Sequence, residues 1–369
     1  MKNLVLIEII LFMKEKCFLT GIVGTGRIGF SLGFDKKREQ PASHTMALFN
    51  NKNIRLIAAA DSNEENLAAW KKYARKYARK YAGKYAGKYA GKKKNMALTF
   101  SSSRELYENV TCLDIIVVAV NEESHLEECL KAIEYKPRLV ILEKPVALNS
   151  AQAALILDAA KKAEVPVMVN HERRFALDYR MAKELLSQIG EIQYVDAHLN
   201  SGLRVWAEEF EKDGTYSLLH DGTHLVDIVR FLFDVELKNP LVTGIYRDEK
   251  NIVRNFTAVY HTDKISQILI SMSGRSKFFE FSIEVTGTLG RLCIGNGFFK
   301  LYKRQESRLY TGFYSLARQK IKVPKKTGYF ANMVQNAVDF LRAGSPLESP
   351  LEQAVEDLKV LEEIKEAFK

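Results

Sequence analysis

The chain has 369 residues, 47% of them hydrophobic, which is too long for one ordinary core and suits two domains. Its net charge is +10, yet eleven Lys and Arg fall between residues 71 and 94, where there is no acid, so the remainder carries −1. That distribution excludes a protein built throughout to hold nucleic acid, and four scattered cysteines without a Cys-x-x-Cys pair exclude a disulfide framework and a zinc site.

Residues 1–12 are apolar around Glu8, too short to span a membrane, and no small-residue cleavage site precedes the first strand. Met13, followed by Lys14-Glu15-Lys16, reads as the natural start. A soluble, cytoplasmic protein with no membrane partner and no specific nucleic-acid partner is expected.

Residues 18–23 form an apolar run that ends in Gly24-Thr25-Gly26-Arg27-Ile28-Gly29. Gly24 permits a tight turn out of a strand, Gly26 lets the backbone approach a pyrophosphate, and Gly29 allows close helix–strand packing. The residues that follow can start a helix whose unpaired N–H groups would face the phosphates. Residues 54–60 read as a second buried strand, with Asp61 and Ser62 at its end, where an acid can accept from a ribose 2′-hydroxyl. Asp61 comes later than the usual ~20 residues after the glycines. The polar stretch 34–53 therefore reads as an inserted loop, and His44 within it could reach the site.

Residues 63–73 read as a helix. Lys-Tyr-Ala-Arg then occurs twice and Lys-Tyr-Ala-Gly three times over residues 72–91. A solvated insert spanning 72–94, a basic aromatic surface for nucleic acid and a membrane-surface helix are the competing readings; the first is favoured, because the segment lies between elements. The α/β rhythm resumes with strands over 96–100, 114–120 and 138–142 and helices from Ser103 to Asn109 and over 122–135. This alternation implies a doubly wound parallel sheet whose ligands sit at the carboxyl ends of the strands, where Asn121 and Lys144 fall.

The glycine turn, Ala119-Val120-Asn121 with His125 four residues on, Glu143-Lys144-Pro145, Asn170-His171-Glu172-Arg173-Arg174-Phe175, and Gly222-x-His224-x-x-Asp227 stand in one order. Together they resemble the glucose–fructose oxidoreductase / inositol dehydrogenase family of NAD(P)-dependent sugar and cyclitol dehydrogenases. The resemblance implies an α/β fold: a Rossmann domain over 13–147, then a domain over 148–369 with a large, mostly antiparallel open sheet. Residues 192–200, 241–247, 255–261, 267–274, 279–287 and 291–294 read as its strands. Its exposed face is expected to pair with another copy, as a homodimer or homotetramer. Helices over 329–342 and 351–368 are expected to pack back near the nucleotide domain.

The resemblance also assigns roles. Lys144 would stabilise charge on the substrate oxygen, and His224 would be the proton acceptor. His220 stands where many members carry the acid that partners this histidine; it or Asp221 could serve instead, or the chemistry could be lost. That last possibility leaves a non-catalytic nucleotide- and sugar-sensing protein as the alternative. The cofactor is expected to be NAD, with NADP left open, held by the turn residues Gly24, Thr25, Gly26, Arg27, Ile28 and Gly29. Asp61, Ser62, Ala119, Asn121, His125, Glu143 and Lys144 complete that site. His171, Arg173, Arg174, Asp221, Arg204 and Trp206 are candidate substrate contacts. His220 and His224, four apart, would share a helix face, but no third metal ligand is apparent nearby, so no metal is expected.

Overall fold

The computed structural model describes residues 17–85, 98–201 and 220–369. They fall into two compact units: the described residues up to Glu172 with Gly328–Glu352, and Arg173–Thr327 with Gln353–Lys369.

The first unit is built on six strands: β1 (Phe18–Val23), β2 (Ile54–Ala60), β3 (Leu98–Phe100), β4 (Ile115–Val118), β5 (Leu139–Leu142) and β6 (Val167–Val169). They pair in the order β3-β2-β1-β4-β5-β6, all parallel. Both faces are covered, so β4 and β5 are continuous apolar runs in which every residue is buried. The helices are α1 (His44–Asn50), α2 (Glu64–Tyr85), α3 (Ser103–Asn109), α4 (His125–Glu134) and α5 (Ser150–Ala163). The cap of α3 is Ser102, one residue before the expected Ser103, and its hydroxyl accepts from Glu105 N–H.

The chain does not run from the glycines straight into a helix. Residues 27–30 form a turn, a 3₁₀ helix covers Ser31–Phe34, and an irregular excursion follows to Ser43. The helix then resumes, because His44 and Thr45 N–H donate to the carbonyls of Ile28 and Gly29 at 3.1 and 3.0 Å. Residues 30–43 are thus spliced into what would otherwise be one helix, which accounts for the late position of Asp61. Ser43 caps the resumed helix by accepting from Met46 N–H.

The start of the repeat is not a solvated insert. Helix α2 continues through it, and Tyr73 packs on Phe30 and Phe34 while Tyr77 stacks on Phe49 at 4.3 Å. Tyr77 also donates its hydroxyl proton to Phe49 O. One turn before Tyr73, buried Trp70 donates to Thr45 Oγ1 at 3.0 Å. A tyrosine every fourth residue keeps to one helix face long enough to form this contact. Residues 86–94 of the expected insert lie outside the described residues.

In the second unit, α6 (Leu177–Leu185) and α7 (Gly222–Phe233) accompany an eight-stranded sheet. Its strands are β7 (Ile192–Asn200), β8 (Leu241–Arg247), β9 (Val253–Tyr260), β10 (Gln267–Ser273), β11 (Glu280–Gly287), β12 (Gly290–Gly295), β13 (Phe298–Glu306) and β14 (Tyr314–Arg318). The order is β14-β13-β12-β11-β7-β10-β9-β8, antiparallel except for β7 beside β10. Val195, Ala197, Ile268, Ile270, Ile283 and Val285 form the buried face, against which α7 packs, while Asp196, His198, Ser271 and Glu284 alternate onto a half-exposed polar face. The last hairpin, β13–β14, escapes the sequence reading because its charges mask the alternation of Phe299 and Leu301.

Helix α8 (Tyr329–Ala343) belongs to the first unit, where it packs on α1 and Glu39 accepts from Gly328 N–H at 2.7 Å. Helix α9 (Leu351–Glu366) belongs to the second unit from Gln353 onward. Among the described residues no helix is long and apolar enough to cross a membrane.

Replacing Tyr77 by Ala removes a stacked ring and a hydrogen bond, and should cost about 2 kcal/mol in urea unfolding. A solvated insert would lose less than about 0.5 kcal/mol.

Candidate functional site

Three backbones crowd the glycine turn. Gly24 has φ +93°, and a Cβ there would lie 2.4 Å from Ala119 O. A Cβ on Gly29 would lie 2.1 Å from Gly24 O. Gly26 differs: its nearest neighbour would be Asn66 Nδ2 at 3.7 Å, so the fold itself leaves that position open. Thr25 donates its N–H and its hydroxyl to Asp61 Oδ2 at 2.6 and 2.8 Å, and Asp61 Oδ1 accepts from Asn63 N–H at 2.9 Å. Asp61 therefore pins the turn to the end of β2, a role the motif alone does not reveal. Its oxygens keep further lone pairs for a ribose hydroxyl. Arg27, Ser62 and Asn121 are exposed, Ile28 is half-buried and Ala119 is buried beneath the turn. An open glycine beside an acid at the end of the next strand fits a dinucleotide.

At the carboxyl end of β5 the chain turns through Glu143, Lys144 and Pro145, with the Lys144–Pro145 peptide cis. Glu143 is buried, and its Oε1 accepts from His44 Nε2–H at 2.6 Å and from Asn170 Nδ2–H at 2.7 Å. Burial pushes its carboxyl up, but the bond and charge of His44, the Asn170 bond and the Lys144 charge together hold it below its ordinary value. His125 is buried too: Nδ1 lies 2.6 Å from Pro145 O and Nε2 3.2 Å from Val120 O. Burial lowers its pKa, so the neutral ring donates Nδ1–H along the shorter contact. These two residues were expected to meet the cofactor. Their polar atoms have partners within the protein, and they fix the turn that carries half-exposed Lys144. His171, at the end of β6, is likewise buried.

In the second unit, ten of the twelve residues of α7 are buried; the exceptions are His224 and Phe231. Arg174 donates from Nε to Asp227 Oδ1 at 2.7 Å, and its second nitrogen lies as close. Arg230, one turn further along α7, pairs with Asp357 of α9 and donates to Gln353 O at 2.9 Å. Burial first, then the charge of Asp227, raises the Asp357 carboxyl well above its ordinary value. Arg174, a candidate substrate contact, is thus part of the scaffold that holds the His224 helix. Arg173 lies over the Phe281 ring at 3.7 Å, a packing role as well. His220 precedes the first residue of α7 and Asp221 is its cap, because the helix starts only at Gly222; the two histidines do not lie on one uninterrupted helix. Arg204 and Trp206 lie outside the described residues.

Residues 18–171 match the oxidoreductase family with an NAD-binding Rossmann fold. The match covers less than half of the chain. It is similar to glucose-6-phosphate 3-dehydrogenase of Bacillus subtilis, 25% identical over 72% of this chain and 71% of the relative. It also resembles scyllo-inositol 2-dehydrogenase (NADP(+)) of the same organism, 25% identical over 44% of this chain and 46% of that one. An oxidoreductase of Agrobacterium radiobacter, solved in complex with NAD+, L-tartaric acid and magnesium, shares the fold with a TM-score of 0.67 and 16% identity, each chain covered to 94%. The family is one of NAD-binding oxidoreductases, and the relatives are dehydrogenases.

The glycines separate fold from ligand. Gly26→Ala should leave the melting temperature nearly unchanged and weaken NADH binding at least tenfold in a fluorescence titration, because only a bound pyrophosphate needs that space. Gly24→Ala should fail to give a stable fold. His125 yields a pH signature. Its native pKa lies below its ordinary 6.5, so the unfolded chain takes up a proton that the native chain refuses. The stability advantage of wild type over His125→Gln, followed by urea unfolding, should be full above pH 6.5 and shrink as the pH falls below it.

Proposed function

We propose that the protein interconverts a secondary alcohol and its ketone on a sugar, cyclitol or related ring polyol, with NAD as hydride carrier. The observation that carries this reading is Lys144, half-exposed on a turn that buried Glu143 and His125 hold in place. A lysine so mounted at the carboxyl end of an interior strand is poorly explained as a solvated surface charge. Bound NAD supplies the hydride acceptor at its nicotinamide ring.

The chain's own residues supply the rest. The Lys144 ammonium stabilises negative charge as it develops on the substrate oxygen. His224, half-exposed on an otherwise buried helix, takes the hydroxyl proton in oxidation and returns it in reduction. His220 and Asp221 orient that histidine or meet the substrate. The Asp61 carboxylate favours an unphosphorylated ribose over the 2′-phosphate of NADP. Ring secondary alcohols as substrates are supported by the names of the two Bacillus subtilis relatives.

In this reading the first unit binds the dinucleotide, and the second binds the substrate and a second copy of the chain. The half-exposed polar sheet face and exposed Leu241, Tyr314 and Leu316 on the edge strands support homo-oligomer formation. The protein acts in the cytoplasm, a setting supported by its free cysteines.

Lys144→Met tests the reading. Turnover of ring polyols and keto-sugars should fall about 100-fold or more, while NADH affinity stays close to wild type. A variant that keeps its turnover contradicts the assignment.

A further inference from the structure

His44 is fully buried, the first residue of α1, with its ring edge-on to Phe330 at 5.1 Å. Its Nδ1 has no hydrogen-bond partner among the described residues, so its one polar contact is Nε2 on Glu143. A ring buried only to fill space would be better replaced by an apolar one, since leaving Nδ1 unsatisfied carries a penalty. The Glu143 bond is what the imidazole contributes.

The groups facing Glu143 are few. His44 comes from α1, Asn170 from the end of β6 and His125 from α4, while Lys144 lies on the same turn. Asn170 is neutral, and the Lys144 backbone N–H is a distant donor at 3.3 Å. A buried carboxylate with only these partners would favour its protonated form. Were Glu143 protonated, the turn would lose the fixed negative charge beside Lys144.

We propose that His44 is a positioning residue for Lys144: its hydrogen bond keeps the Glu143 carboxylate anionic and turned inward, giving the Lys144 ammonium a constant counter-charge. The proposal rests on the reading of Lys144 above. The direction in which Glu143 is shifted, below its ordinary range despite full burial, agrees with it.

The test follows the Glu143 carboxyl by infrared spectroscopy of the ligand-free protein, with Glu143→Gln to identify its band. In wild type the midpoint of the protonated band should lie below the ordinary carboxyl value of 4.5. In His44→Leu its midpoint should rise by about 1–2 pH units, the worth of one hydrogen bond to a charged group. His44→Gln, whose amide can still donate, should restore a midpoint near wild type. The acid limb of kcat should move with the band, with NADH affinity unchanged. A midpoint that stays put in His44→Leu overturns the proposal, as does a loss of kcat without any change in pH profile.

Should His44→Leu not fold, nitrogen-15 labelling of wild-type histidine decides. An Nε2–H proton far downfield that moves upfield in Glu143→Gln supports the proposal, and an Nδ1–H tautomer overturns it. If Lys144→Met keeps its turnover, the Lys144 reading fails whatever Glu143 does. If that variant is inactive and Glu143 does not respond to His44, only the present proposal fails.

Discussion

No side chain fits where β1, the turn after it and the end of β4 meet. Gly24 sits against Ala119 O and Gly29 against Gly24 O, both at distances that exclude a Cβ. This crowding places the turn at the carboxyl edge of the sheet, directly over the central strands. It also leaves Gly26 facing open space, and the Asp61 carboxylate then ties the turn to β2 through Thr25. A dinucleotide cradle is the outcome of these contacts, because the backbone is held still before any ligand arrives.

The same edge carries a second constraint, in which two buried side chains fix the turn that holds Lys144. Glu143 is gripped from α1 and β6, and His125 grips Pro145 from α4. Burying a carboxylate is costly unless it is bonded and faces opposite charge. Here both conditions are met, and Lys144 is held between two immobilised neighbours. The splice of residues 30–43 is compatible with this because the bonds of His44 and Thr45 to Ile28 and Gly29 return the chain to its helical path.

In the second unit, charge is buried to hold a helix. Arg174 with Asp227 and Arg230 with Asp357 fix successive turns of α7, and His224 is left half-exposed near its start. Removing one partner from such a pair typically costs about 3–5 kcal/mol, because the other is left buried and uncompensated. The Asn170–Phe175 and Gly222–Asp227 motifs are thus tied to each other by packing, through Arg174 and Asp227.

By itself the sequence determined the periodicities and the turns. Apolar runs separated by helical patterns specify a parallel sheet, three glycines at fixed spacing specify the cradle, and alternation specifies six of the eight strands in the second sheet. These are local properties, written in neighbouring residues. Tertiary structure alone decided which polar residues face inward. It brought His44 to Glu143 from 99 positions away, and gave His125, Glu143, Arg173 and Arg174 partners within the protein. It also drew Tyr73 and Tyr77 out of a basic repeat and into the packing of the first unit. No spacing rule shows such pairings, because they depend on where separate strands end and on which partner can satisfy a donor that burial has cut off from water.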